Sequence, residues 1–117
     1  MFEPKDPRFA ERVRDSFQRN SMMTTIGARL AAIEPGVVAI ELPFRDDLCQ
    51  QHGFLHGGIL TTIVDTACGY AALTLMAPEA AVLAIEFKVN FLAPATGERF
   101  RARGQVARSG RQISVST

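Results

Sequence analysis

The chain has 117 residues, 47% of them hydrophobic and 21% charged, with thirteen Lys and Arg against twelve Asp and Glu. That length fits one domain with a modest core, and the composition excludes a disordered or low-complexity protein. A formal net charge of +1 gives no general attraction to nucleic acid, so a phosphate-bearing partner needs a local basic patch.

The first residues are charged and proline-broken, with neither an apolar run nor a cleavage site, so no signal peptide is expected. Residues 7–20 read as a short amphipathic helix with Phe9, Val13 and Phe17 in one stripe, Asp6 as N-cap and Pro7 in the first turn. A strand is expected loosely over 25–33, followed by a turn at Glu34, Pro35 and Gly36. The next strand alternates, with Val38, Ile40, Leu42 and Phe44 on one face.

After a polar loop over 45–55, a long apolar helix is expected from about Gly58 to Met76, ended by Pro78. Within it, residues 59–77 form a nineteen-residue stretch with the single charge Asp65. Four threonines, a tyrosine and that aspartate favour a buried helix over a membrane span, because an aspartate near mid-membrane costs about 3 kcal/mol. Residues 82–92 give the clearest strand: Leu83, Ile85, Phe87, Val89 and Phe91 alternate with Ala84, Glu86, Lys88 and Asn90. A further strand over 98–108 sets Phe100, Ala102, Gly104 and Val106 against Arg99, Arg101, Arg103 and Gln105, and Ser109-Gly110 signals a hairpin. Ile113 and Val115 begin another strand. The order predicts an α+β fold in which the long helix lies on an antiparallel sheet.

The densest chemical cluster is Cys49-Gln50-Gln51-His52-Gly53-Phe54-Leu55-His56-Gly57-Gly58, running straight into the long helix. Gly57 and Gly58 would offer free N–H groups at the positive end of the helix, suited to an anion or a carbonyl oxygen that becomes one. The alternative is a plain glycine turn that lets the helix approach the sheet closely.

Asp65 has no cation at i±3 or i±4, where Thr61, Thr62, Cys68 and Gly69 stand, so its partner must be tertiary, inter-subunit or a substrate. It is a candidate general base or nucleophile. The competing reading is a structural aspartate held by backbone or threonine hydroxyls. His52 and His56 are disfavoured as metal ligands by the intervening glycines, and no metal or cofactor is expected. Asp47 and His52 have a spacing found in some hydratases of the hotdog fold, but the flanking residues do not follow. No GxSxG elbow is present. Cys49 and Cys68 lack CxxC spacing and read as ordinary thiols rather than a disulfide or thiolate metal site. Arg99, Arg101 and Arg103, with Arg108 and Arg111, form either a solvated sheet face or a phosphate-binding patch.

Gly53-Phe54-Leu55-His56-Gly57-Gly58, then Asp65 seven residues after the second glycine, resembles the PaaI-type hotdog acyl-CoA thioesterases. Phe87-Lys88-Val89-Asn90-Phe91-Leu92-Ala93-Pro94-Ala95 is similar to that family's strand after the helix, and the likeness runs over about residues 20–117. The resemblance implies a hotdog fold: a sheet wrapped around a central helix, dimerised edge to edge or paired further into a tetramer, with active sites at the dimer interface. It implies Gly57 as oxyanion donor, Asp65 of the neighbouring subunit as catalytic carboxylate, His56 as a pocket-orienting residue and Gln50 as the amide that positions water or carbonyl. Gln51 is the alternative for that last role. Gly58, Phe54, Arg99 and Arg101 are expected as further substrate contacts, and Leu55 and Tyr70 are candidate pocket lining. Ala84 stands where some relatives carry a hydroxyl.

The expectation is a single hotdog domain over 1–117, with an N-terminal helical unit over 1–20 and a core over 21–117 cut short within its penultimate strand. Such an edge predicts reliance on oligomerisation, or a piece of a longer protein. The expected activity is hydrolysis of acyl-CoA in the cytoplasm, without nucleic-acid or membrane partners. The alternatives are a non-catalytic acyl-CoA-binding module of the same fold and a structural or membrane-anchored protein using the 59–77 helix.

Overall fold

A computed structural model describes residues 2–117; Met1, the first residue of the expected N-terminal unit, lies outside them. Helix α1 (Phe9–Arg19) is followed at once by α2 (Ser21–Ile26), then β1 (Arg29–Glu34), β2 (Val37–Pro43), a 3-10 turn (Asp46–Leu48), α3 (Gly57–Leu73), β3 (Arg99–Ser109) and β4 (Ser114–Ser116). The four strands form one antiparallel sheet in the order β1-β2-β3-β4.

The expected α1 stripe is present: Val13 is fully buried and Phe17 packs on the core, its ring 6.2 Å from that of Tyr70. Asp6 is not the N-cap of α1. Its carboxylate instead accepts the Arg8 N–H at 2.9 Å, stabilising the turn that Pro7 opens, and the helix begins at Phe9. The strand expected over 25–33 also starts later, because residues 21–26 are helical. Asn20 accepts the Met23 N–H at 3.4 Å as N-cap, and Gly27 closes α2 in the left-handed conformation at φ 79°.

The alternation of β2 is borne out, with Val38, Ile40 and Leu42 fully buried. Phe44 lies beyond the strand at the surface. In β3, Ala102, Gly104 and Val106 face inward while Arg99, Arg101, Arg103 and Gln105 face solvent, as the sequence predicts. Helix α3 lies against that inner face. A Cβ on Gly104 would stand 2.5 Å from the Ala67 backbone, so glycine is what permits helix and strand to touch. Thr74 ties the end of α3 to the β1–β2 turn: its buried hydroxyl donates to the Ala71 carbonyl and accepts the Gly36 N–H at 2.7 Å. Arg12 donates to the Met76 and Ala80 carbonyls and holds the segment after α3 against α1.

Two further expectations need correction. Residues 82–92 form no strand, and no strand lies beside them among the described residues. Alternation predicts which faces a strand would show, but a ladder needs a neighbour to supply its hydrogen bonds. Lacking one, this segment leaves Leu83 at 89% and Ile85 at 81% exposure. Asp65 is likewise not enclosed by its apolar helix. Ile63, Ala67, Tyr70 and Ala71 bury one face of α3, while Val64 and Asp65 occupy an exposed one. No helix among the described residues is long and apolar enough to cross a membrane.

Candidate active site at the start of the central helix

The loop entering α3 is fixed by its own backbone. Gln50 N–H donates to the Phe54 carbonyl at 2.9 Å, His56 N–H to Leu48 at 2.9 Å, and Leu55 N–H to Ala95 at 3.2 Å. Gly53 turns this loop at φ 85°, a conformation that favours glycine. The Gln50 carboxamide oxygen accepts the His52 and Phe54 N–H groups at 2.5 and 3.4 Å, so its acceptor holds the turn and its amide donors are left over. Gln51 and His52 are exposed.

His56 is the N-cap of α3, and its Nδ1 accepts the Gly58 N–H at 2.8 Å. The expected pair of glycine donors is thereby reduced to one. Gly58 is engaged, whereas the Gly57 N–H donates to no acceptor among the described residues. With Nδ1 accepting, the hydrogen of the imidazole sits on Nε2. Thr61 and Thr62 hydroxyls donate back to the Gly57 and Gly58 carbonyls, both at 2.8 Å. They are therefore committed to the helix and do not hold Asp65, which has no hydrogen-bond or ion-pair partner among the described residues.

Eight residues of helix separate Gly57 from Asp65, a rise of about 12 Å and a turn of about 80°. One carbonyl carbon cannot meet both groups of a single helix.

The remaining candidates lie elsewhere. Asp47 is gripped by Arg45 through bonds of 3.0 and 2.7 Å, and this pairing holds its carboxyl below the usual range. That occupies the carboxylate of the Asp47/His52 pair. No cluster of three metal-ligating side chains occurs among the described residues. Leu55 and Tyr70 are core residues, Tyr70 meeting the Ser16 hydroxyl at 3.1 Å, and do not line an open pocket. Phe54 is half-buried. Arg101 pairs with Glu41 at 2.9 Å and Arg103 donates to Gln105 at 2.8 Å on the outer sheet face, while Arg99 has no ion-pair partner among the described residues. Both cysteines are free; burial and then the Asp65 charge push the Cys68 thiol up. The sequence reading missed Phe91 beside Gly57, a contact that no local spacing signals.

Residues 52–117 match the model of the Thioesterase superfamily. A thioesterase family protein from Silicibacter pomeroyi is 55% identical, superposes with a TM-score of 0.91, and the alignment covers 92% of this chain and 79% of that one. The E. coli PaaI protein shares the fold at 21% identity and a TM-score of 0.85, over 93% of this chain and 78% of its own. Among sequence relatives, a Saccharolobus solfataricus protein described as a candidate esterase is 32% identical over 77% of this chain, and the chain spans 64% of that protein's length. The 1,4-dihydroxy-2-naphthoyl-CoA hydrolase of Listeria monocytogenes is 24% identical over 80% of this chain and 76% of its own. The chain belongs to the Thioesterase superfamily, and its antiparallel sheet packed on a central helix is the hotdog fold that the motif resemblance implies.

Proposed function

We propose that this chain hydrolyses acyl-CoA thioesters at a site built from two copies. The carrying observation is the Gly57 N–H, unengaged at the positive end of α3, while its neighbour at Gly58 is capped. The thioester carbonyl accepts from Gly57, and the charge that gathers on its oxygen during attack meets an N–H and a helix dipole already in position. Asp65 of the second copy either takes a proton from the attacking water or itself attacks the carbonyl carbon. In both routes the C–S bond breaks, coenzyme A leaves as the thiol, and water supplies the carboxylic acid's second oxygen. A thioester is activated enough that a carboxylate and one donor suffice without a triad.

Gln50 or Gln51 orients the water through its amide, and His56 positions the site by capping α3. Gly58 and Phe54 flank the acyl group, while Arg99 and Arg101 meet the phosphates of coenzyme A. The acyl-CoA class is supported by the name of the Listeria relative. Free Cys49 and Cys68 fit a reducing cytoplasm.

The second copy has a natural seat along residues 82–92. If two such segments pair antiparallel about Phe87, Glu86 faces Lys88 of the other copy twice over, Ile85 faces Val89, and Leu83 faces Phe91. Opposite charges and apolar pairs then match across one two-fold axis.

The test is thiol release from a panel of straight-chain, branched and aromatic acyl-CoAs, compared with buffer. Turnover of at least one thioester is expected. Saturable binding without turnover would favour the non-catalytic module, a reading that the exposed Asp65 of a single copy keeps in play. Neither binding nor turnover sinks both.

A further inference from the structure

We infer that Phe91 is a specificity-determining residue of this site, limiting branching at the acyl carbon next to the thioester carbonyl. The inference rests on the reading of Gly57 as the carbonyl's hydrogen-bond donor. A Cβ built on Gly57 would meet Phe91 Cζ at 3.0 Å, Cε1 at 3.3 Å and Cε2 at 3.4 Å, and these are its three nearest atoms. The outer edge of the ring therefore already rests against the Gly57 α-carbon. Glycine at 57 is what lets an aromatic side chain come so close to the free N–H. Phe91 is 60% exposed in the single chain, so the ring is not absorbed into the core; when two 82–92 segments pair, it stands between Leu83 of the second copy and the Gly57 donor.

A carbonyl oxygen accepting from Gly57 sits about 2.9 Å from that nitrogen, and the carbonyl carbon about 1.2 Å beyond the oxygen. The acyl substituents begin at that carbon. A straight chain turns away from the ring and leaves only hydrogens towards it. A methyl branch on the next carbon leaves a single hydrogen there, so fewer orientations keep carbon away from the ring edge and the branched acyl group is disfavoured beside it. Four residues past Phe91 the chain is held to the loop before α3, where the Ala95 carbonyl accepts the Leu55 N–H at 3.2 Å.

The experiment compares kcat/KM for butyryl-CoA and isobutyryl-CoA in wild type, Phe91→Ala, Phe91→Leu and Leu92→Ala. Leu92 is the neighbouring residue, 93% exposed, and contributes none of the three atoms nearest to a Cβ on Gly57. Phe91→Ala is expected to raise the branched-to-straight ratio about tenfold, the scale by which one methylene is discriminated in a fitted pocket. Phe91→Leu should raise it less, and Leu92→Ala should leave it unchanged. An unmoved ratio in Phe91→Ala with straight-chain turnover intact overturns the inference while the thioesterase reading stands. Equal shifts in Phe91→Ala and Leu92→Ala overturn it as well. Should Phe91→Ala be inactive or unfolded, the ratio in Phe91→Leu decides in the same way. Wild type that hydrolyses neither substrate, nor any other thioester, removes the reading on which the inference rests.

Discussion

His56 Nδ1 accepts the Gly58 N–H at 2.8 Å, which makes the histidine the cap of the central helix and leaves Gly57 as its free donor. Asparagine can accept the same hydrogen bond from this position, whereas alanine cannot. His56→Ala is expected to lower stability by about 1 kcal/mol, with His56→Asn closer to wild type. Thermal melts check the order. If His56 acts only through the cap, His56→Asn also keeps kcat while His56→Ala does not.

The Gly57 donor can be deleted without unmaking the helix. Proline is favoured at the first helical position, and His56 at φ −61° and ψ 134° already has the extended backbone that a following proline requires. Gly57→Pro should lower kcat about 10²-fold, the usual loss for one oxyanion donor. Because the new ring presses on Phe91, the variant is best compared with Gly57→Pro combined with Phe91→Leu. A wild-type kcat in the combined variant would show that the Gly57 N–H is not the donor.

Gly104 and Ala67 make the closest approach between sheet and helix. A methyl at 104 would lie 2.5 Å from the Ala67 carbonyl carbon and oxygen, both main-chain atoms. Gly104→Ala should therefore cost about 1–3 kcal/mol, as overpacking does. A denaturant titration with unchanged slope and a lowered midpoint is the expected result.

Cys68 reports on Asp65. Burial first and the Asp65 charge second raise its thiol pKa, so at a given pH it holds less thiolate than a free cysteine. Alkylation by iodoacetamide at pH 8 should be slow at Cys68 and should speed up in Asp65→Asn. Cys49, raised by partial burial and then by Asp46 and Asp47, should keep its rate in that variant. Mass spectrometry of the two cysteine peptides separates the outcomes.

Much of this architecture was readable from side-chain period alone. Val38, Ile40 and Leu42 in β2, and Ala102, Gly104 and Val106 in β3, are buried where alternation assigns them. The start of α3 was readable because His-Gly-Gly precedes an unbroken apolar run. Helix α2 was missed although Asn20 and Gly27 bracket it as caps, since six residues carry too little periodicity to outweigh the β-rich segment that follows. The 82–92 segment shows the other limit: its period is that of a strand, but pairing is a property of two segments and only one is written there. Asp65 failed similarly, because a helix apolar in composition can still leave one face open. Gly57 and Phe91, thirty-four positions apart, meet only through the fold.

The most direct test of the central claim is acyl-CoA hydrolysis by Asp65→Asn, by Gly57→Pro, and by the two chains co-expressed. Each variant alone should lose about 10²-fold or more in kcat. Of all dimers formed at random, half combine the two chains and each of these carries one intact site of two, so the mixture should recover about a quarter of wild-type activity. Wild-type rates in Asp65→Asn, or a mixture no more active than its parts, would contradict a site shared between copies.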